Sequence, residues 1–467
     1  MDEQAHRMIQ RKPLFEFIQY IQPAWYFNLM NSNQILWVDY FKLPPADQAL
    51  INWDENYSSK SASILDAAFQ ALQKGIIPER QNAHRSMESI KPSIDDNYRF
   101  IRKYYHPFWM LYILLMRLVS LYKPLRELHA FLRALSVKRM DLFHPSKAHP
   151  EFLTFSSTLE QSRPLVSIVI PTLNRYNYLK RVLCDLENQT YNNFEVIIAD
   201  QSEPYDKSFY QGWNLNLDII RQTEKALWLA RNQCIKKASG DYILLFDDDS
   251  RVEDDWVRQH LRCLDYFQAD VSSGVSRSLS GSRVPRNYRF FRLSDQVDTG
   301  NAMVRKGVYR QTGLFDRQFE NQRMGDAEFG LRCHLLGFKN ISNPHAGRLH
   351  LKVQQGGLRQ MGSWDAFRPR GLFSPRPIPS VLYYIRKYHG KQAAKWSLLQ
   401  NIPPSLLPYR FKKYRSIYFA GFILAILLFP LVIFQIRKSW KISSRMLTQG
   451  ALISQFNGHE KSIGHIL

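Results

Sequence analysis

From Pro164 onward the chain alternates short, largely apolar runs with segments whose apolar residues recur at helical spacing. Val166–Ile170 (VSIVI), closed by Pro171, predicts a buried strand, and Leu179, Val182, Leu183 and Leu186 then fall on one face of a helix over 178–186. Phe194–Ala199 (FEVIIA) predicts the next strand, ending in Asp200, and Leu217–Ile220 a third. Ala226–Ala238 predicts a helix with Leu227, Ala230 and Cys234 on one side. Asp241–Phe246 (DYILLF) predicts a strand that runs directly into Asp247-Asp248-Asp249. Strands alternating with helices predict an α/β fold on a parallel or mixed sheet, where ligands gather beyond the carboxyl ends of the strands. Three such ends carry polar residues: Thr172 and Asn174, Asp200, and the aspartate triplet. They are expected to share one crevice.

The flanks read differently. Residues up to about 155 form helical pieces separated by turn clusters such as Lys42-Leu43-Pro44-Pro45, with no chemical constellation among them. Within them Phe108–Leu121 is apolar but short and interrupted by Arg117, which predicts a buried or interfacial helix. Ser416–Ile436 carries no charge and would rise about 31 Å as a helix, roughly the hydrocarbon thickness of a bilayer. A single membrane span is the simpler reading; Pro430 leaves a kinked or re-entrant helix open. Basic residues on both sides (Arg410, Lys412, Lys413, Arg415; Arg437, Lys438, Lys441, Arg445) assign no orientation. The opening MDEQAHRMIQRK shows no apolar stretch behind a basic start, so no secretory signal is read there. The expected division is a helical region 1–155, an α/β catalytic domain 160–360, a basic aromatic region 361–415, a transmembrane or re-entrant helix 416–436 and a tail 437–467. The basic aromatic region is expected either on a membrane surface or as a solvated linker with one packed helix.

Composition narrows the partners. Lys and Arg number 63 against 41 Asp and Glu, a formal charge of +22, which calls for an anionic partner: nucleic acid, an anionic membrane face or a phosphorylated substrate. The basic residues are spread along the chain without a nucleic-acid motif, so no nucleic-acid partner is expected. Membrane lipid and donor phosphates account for many of them. The four cysteines stand apart with no C-x-x-C pair, against a disulfide framework or Cys-type zinc site and in favour of a reducing compartment.

Three consecutive carboxylates after a buried strand repel one another unless something positive meets them. Mg²⁺ or Mn²⁺ is the usual answer, bound through one or two carboxylates and substrate phosphates. Asp247 and Asp249, two apart in extended chain, face the same way. An acidic loop preceding the helix that starts near Glu253-Asp254-Asp255 is the alternative.

The order IPTLNR (170–175), VIIADQS (196–202), LARNQCI (229–235) and GDYILLFDDD (240–249), continued by GNAMVRKGVYRQTGLFD (300–316) and GDAEFGLRCHLLGFK (325–339), resembles family 2 glycosyltransferases of the GT-A fold. The resemblance covers about residues 164–355. It implies an inverting enzyme that uses a nucleotide-sugar donor, expected to be a uridine diphosphate sugar, with Mn²⁺ or Mg²⁺. Thr172, Asn174 and Arg175 match the loop bordering the nucleotide, and Asp200 the carboxylate that accepts from the uracil ring. Arg231 matches the position where the diphosphate passes. Asp247, Asp248 and Asp249 match the D-x-D region, Asp249 as metal ligand and Asp247 nearer the ribose. Asp326 matches the catalytic base, but Gly325 stands where the family has Glu, which keeps Glu328 open as the base. His350 resembles a late element reaching the metal and diphosphate, with a satisfied core histidine as the alternative, and Arg359 follows Gly356-Gly357 in a loop suited to phosphates. No Q-x-x-R-W signature follows, so single transfer is expected rather than processive polymerisation. The implied acceptor is a hydroxyl of a glycan or lipid-linked substrate, on a membrane-associated enzyme whose catalytic domain is cytoplasmic. Two other classes compete. A nucleotidyltransferase also needs carboxylates and Mg²⁺, but its glycine-rich loop is missing from IPTLNR; the other is a non-catalytic basic binding protein.

Overall fold

The computed structural model describes residues 9–11, 14–31, 34–79, 91–279, 283–351, 353, 366–369, 371–408 and 418–456. They fall into two compact units.

One unit comprises residues 9–148 with 385–404. Strands β1 (Ile9–Arg11) and β2 (Leu29–Asn31) pair antiparallel; the rest is mainly helical. Helix Lys60–Gln73 is capped by the Ser59 hydroxyl, which accepts from the Ala62 amide. Helix Ile94–Tyr104 starts with a reciprocal capping box between Ser93 and Asp96. Phe15 stacks on Phe100 with ring centroids 4.1 Å apart, and Phe69 meets Phe100 at 4.8 Å. A buried ionic cluster sits beside these rings. Lys103 Nζ donates to Asp54 (3.0 Å) and Asp66 (2.7 Å), and Tyr57, Tyr104 and Gln70 also donate to Asp66. The helix expected near 108–121 runs Pro107–Val119 with one face buried and one exposed.

The described residues of the other unit run from His149 to Tyr384 and from Ser405 to Phe456. Its sheet consists, among the described residues, of β3 (Val166–Thr172), β4 (Phe194–Asp200), β5 (Leu217–Arg221), β6 (Tyr242–Phe246), β7 (Ser250–Val252), β8 (Val271–Ser278), β9 (Arg292–Leu293), β10 (Asn301–Arg305) and β11 (Asn340–His350). The spatial order is β5-β4-β3-β6-β10-β8-β11-β7, with β9 on β11. Strands β5, β4, β3 and β6 are parallel, whereas β10 is antiparallel to β6 and to β8, so the sheet is mixed. Every residue of β3 and β6 is buried, which is why both read as apolar runs.

Pro171 does not end β3, as its position suggested; the strand continues to Thr172, opposite Asp200. Pairing with β6 stops at Val169, so a residue without an N–H is tolerated beyond it.

The C-terminal apolar stretch differs from a single straight span. No single helix among the described residues is long and apolar enough to cross a membrane; Ala420–Leu427 and Phe429–Gln449 form a pair bent by 85°. Pro430 explains the break, because it offers no N–H to the carbonyl four residues back and its ring crowds that carbonyl. Beyond the bend, the polar residues Gln435, Ser439 and Ser443 are buried. Arg376 Nε donates to Gln435 Oε1 (2.8 Å), and the Ser439 hydroxyl to the Pro377 carbonyl (2.6 Å). The first part of the segment read as a tail, 437–449, is therefore helix seated on this unit, and 457–467 lie outside the described residues. The region expected as a membrane-surface segment or a linker with one packed helix contains two helices, Pro379–Tyr388 and Gly390–Ser405. Leu382, Tyr383, Ala393 and Ala394 in them are buried.

Candidate functional site

Parallel pairing brings the carboxyl ends of β4, β3 and β6 side by side, and the residues expected at those ends meet there. Thr172 donates its hydroxyl to Asp248 Oδ2 at 2.8 Å. Asn174, with φ of 55°, stands in the left-handed region and is stitched to the loop after β4. Its amide donates to Ser202 Oγ and its Oδ1 accepts from the Glu203 amide, both at 2.8 Å. That turn aims Arg175 back across the edge, where Nη1 reaches Asp248 (3.0 Å) and Asp249 (3.2 Å) and Nη2 reaches the Val353 carbonyl (3.2 Å).

Asp200 is fully buried. Its Oδ2 accepts from the hydroxyls of Tyr176 (2.7 Å) and Tyr210 (2.9 Å), and its Oδ1 from the Ser202 amide (2.8 Å).

The aspartate triplet divides its work. Asp247 accepts from Arg231 on one oxygen and from Arg348 on the other, each at 2.7 Å. Asp248 points into the protein, where burial pushes its carboxyl up to about 6 against the pull of Arg175. Burial would also raise Asp249, but the hydrogen bond to His350 and the charge of Arg175 hold it below the usual range. His350 Nε2 lies 3.3 Å from Asp249 Oδ1. Ligand atoms of Asp247, Asp249 and His350 all lie within 4.8 Å of one another. Two carboxylates and an imidazole suit Mn²⁺ and are acceptable to Mg²⁺. Both Asp247 oxygens rest on guanidinium groups, and Asp249 has Oδ2 on Arg175 and Oδ1 beside His350, so a bound ion would replace some of these contacts.

Strand register builds this arrangement. β11 runs antiparallel to β7, with His350 opposite Ser250, which sets the imidazole beside Asp249. Arg348, two residues earlier, shares that face. The register of β11 against β8 shifts between Asn343 and Gly347, an irregularity that sets the frame for both residues.

Sequence reasoning missed Arg348, although its spacing from His350 on a strand was a usable signal. It is buried and also donates to Asp298 (3.0 and 3.2 Å), Ser276 (2.6 Å) and Ser250 (3.0 Å). Asp298 and Gly300 were missed with it. A Cβ on Gly300 would stand 2.0 Å from Arg348 Nη1 and 2.1 Å from Asp247 Oδ2, so only glycine leaves room for that ion pair. The cluster sets the four carboxyl groups of Asp247, Asp248, Asp249 and Asp298 against the three guanidinium groups of Arg175, Arg231 and Arg348.

The two acidic candidates on helix Gly325–Leu335 are placed differently. Asp326 is exposed at the helix start. Glu328 is wholly buried, with both oxygens 3.0 Å from Arg332 Nε, and that guanidinium also donates to the Thr312 and Leu314 carbonyls. Gly325 has a local reason: a Cβ there would lie 2.4 Å from the Trp228 indole. The indole is itself fixed by donation to the Phe319 carbonyl at 3.1 Å. Arg359 lies outside the described residues.

Residues 167–323 match the family model described as Glycosyl transferase family 2. The chain is 27% identical over 164 residues to the glycosyltransferase GlyA of Streptococcus pneumoniae, covering 34% of this chain and 22% of that protein. It is 31% identical over 103 residues to the putative glycosyltransferase EpsH of Bacillus subtilis, covering 21% of this chain and 30% of that one. The chain thus spans less than a third of the length of these two relatives. Residues 1–349 of Staphylococcus aureus TarS, solved with UDP-GlcNAc, align at 15% identity and a TM-score of 0.40 over 63% of this chain and 97% of that one. A mannosyltransferase of Pyrobaculum calidifontis, solved with GDP-Man and Mn²⁺, also gives a TM-score of 0.40 at 15% identity over 63% of this chain and 91% of that one.

Proposed function

We propose that the glycosyl transferase family 2 domain at residues 167–323 makes this chain an inverting glycosyltransferase, moving a sugar from a uridine diphosphate donor to a hydroxyl of a glycan or lipid-linked acceptor. The observation that carries this reading is the convergence of Asp247, Asp249 and His350 at the sheet edge, beneath three arginines. Asp249 and His350 would hold Mn²⁺ or Mg²⁺, which when bound neutralises charge developing on the departing diphosphate. Arg175 and Arg231 lie where they can exchange an aspartate oxygen for a phosphate oxygen at little electrostatic cost. Thr172, Asn174 and Arg175 border the nucleotide, Asp200 receives the base, and Asp248 anchors Arg175. Asp326, exposed at the start of its helix, takes the proton from the acceptor hydroxyl as it attacks the face opposite the leaving group. Glu328 is spent on Arg332 and serves the fold. The bent apolar pair near the C-terminus associates the enzyme with a membrane, the catalytic unit facing the cytoplasm.

The test is calorimetric titration of the full chain with uridine and guanosine diphosphates, with and without Mn²⁺. Metal-dependent binding of the uridine nucleotide is expected in the wild type and in Asp326→Asn, and is expected to be lost in Asp249→Ala. No nucleotide binding to a folded preparation would overturn the reading.

A further inference from the structure

The unit of residues 9–148 and 385–404 contains two consecutive helices whose apolar faces are turned the wrong way for a soluble protein. In helix Pro107–Val119, Phe108, Leu111, Leu115 and Val119 are exposed, spaced three, four and four apart on one stripe. In helix Pro124–Ala134 and its C-cap, Leu125, Leu128, Leu132 and Leu135, three, four and three apart, form a second exposed stripe, Leu125 being 83% exposed. The inward faces are the less apolar ones on the second helix: Glu127, Ala130 and Ala134 are buried there. Glu127 accepts from Arg117 Nε at 2.5 Å, which joins the two helices through a buried ion pair. The tip between them, Leu121-Tyr122, is exposed as well, with Leu121 at 81%. Leucine rows of this length are not left in water by a monomeric soluble fold.

Charge identifies what covers them. Lys123, Arg126, Arg133, Lys138 and Arg139 are all exposed along and just beyond the second helix. The one acidic residue between Pro107 and Met140 is Glu127, buried on Arg117. Arg133 has a weak partner in Asp95 at 3.5 Å, both side chains being exposed. Leucine stripes flanked by long cationic side chains that can lift their charged ends toward headgroups fit an anionic bilayer surface. A second copy fits worse, since an isologous contact would set this cationic row near its own symmetry mate.

We propose that the hairpin 107–135 is a membrane-docking element. It lies in the interface of an anionic bilayer, leucine rows among the acyl chains and lysines and arginines at the headgroups. This contact is separate from the bent C-terminal pair and does not depend on the catalytic reading.

A site-specific probe separates this contact from any other anchor. In the full chain, Cys184, the one exposed cysteine, is replaced by serine, and Leu128→Cys carries an environment-sensitive fluorophore; Cys234, Cys263 and Cys333 are buried. Phosphatidylcholine vesicles with and without phosphatidylglycerol are added, with a spin label on the acyl chains as quencher. Quenching by the anionic vesicles is expected, with an apparent affinity about tenfold weaker after Lys123→Glu/Arg126→Glu. A probe that stays unquenched while the protein sediments with the vesicles would overturn the proposal, because another segment would then be the anchor. So would absence of both quenching and sedimentation. A concentration-dependent probe shift without vesicles, accompanied by a dimer in analytical ultracentrifugation, would also overturn it in favour of a second copy. The substitutions are at exposed positions, and an unchanged thermal unfolding profile verifies that each variant is folded.

Discussion

Each unit buries a cluster of charged side chains, and the two clusters are built on different principles. Around Asp66 every strong partner is a fixed donor: Lys103, Tyr57, Tyr104 and Gln70 converge on one carboxylate, and Arg99 and Lys103 converge on Asp54. Burial alone would raise Asp54, yet Arg99 and Lys103 hold its carboxyl well below the ordinary range. Nothing in this cluster asks for a further ion. At the sheet edge, four carboxylates face three guanidinium groups, one carboxyl is pushed up to about 6, and ligand atoms of Asp247, Asp249 and His350 lie within 4.8 Å of one another. A closed network stabilises a fold, whereas an open one with convergent ligand atoms is arranged to receive something charged.

That contrast can be broken by substitution. The largest effect is expected for Asp326→Asn, which should lower turnover about a thousandfold, about 4 kcal/mol in the barrier, with nucleotide binding and unfolding unchanged. Glu328→Gln should instead lower stability, because it strips the charge that neutralises buried Arg332, and an activity loss without destabilisation there would exchange the two roles. Next is Lys103→Met. Leaving Asp66 and Asp54 without their buried cation should cost about 3 kcal/mol in urea unfolding of the full chain, with metal-dependent nucleotide binding intact. Linkage between the two in this variant would show that the clusters are not independent.

A comparable effect comes from pH. His260 is wholly buried between Ser272 Oγ (2.9 Å) and Asn301 Oδ1 (3.1 Å), and burial lowers its pKa from 6.5 to about 4. Below pH 6.5 the unfolded chain takes up a proton that the folded chain refuses, so stability is complete above that pH and falls as pH drops toward 4, by up to about 3 kcal/mol. His260→Gln should flatten this window in unfolding curves collected from pH 7 to 4. The smallest effect is expected at Gly325→Ala, whose methyl must displace the Trp228 indole, at a cost of about 2 kcal/mol in thermal unfolding. A larger loss of activity than of stability would place the indole against the substrate.

Much of the unit that carries the mixed sheet was legible from its sequence, for a physical reason. Strands β3, β4 and β6 are buried along most of their length, so their apolar runs have little freedom to mean anything else, and the polar residues that follow must sit at strand ends. Pro171 misled because the penalty for a missing N–H depends on whether a neighbouring strand is present to accept it. Pro430 posed the opposite problem: an uncharged run over 416–436 says nothing of where its helix breaks, although the proline marks a candidate. The leucine rows at 108–119 and 125–135 have ordinary helical spacing in sequence. Only the fold reveals that they face outward.

The sequence by itself determined the strand–helix order, the placement of Thr172, Asn174, Asp200 and the aspartate triplet at carboxyl ends, and the acidic pair on helix Gly325–Leu335. Local periodicity and the cost of burying polar groups act along the chain, and both can be read there. Tertiary structure decided what depends on register and distance. It set Arg348 and His350 against Asp247 and Asp249 across a hundred residues, buried Glu328 on Arg332 while leaving Asp326 in solvent, and closed Asp200 with two tyrosines. Those outcomes follow from which strands pair and where β11 shifts its frame, and pairing energies between distant segments leave no periodic mark in either one.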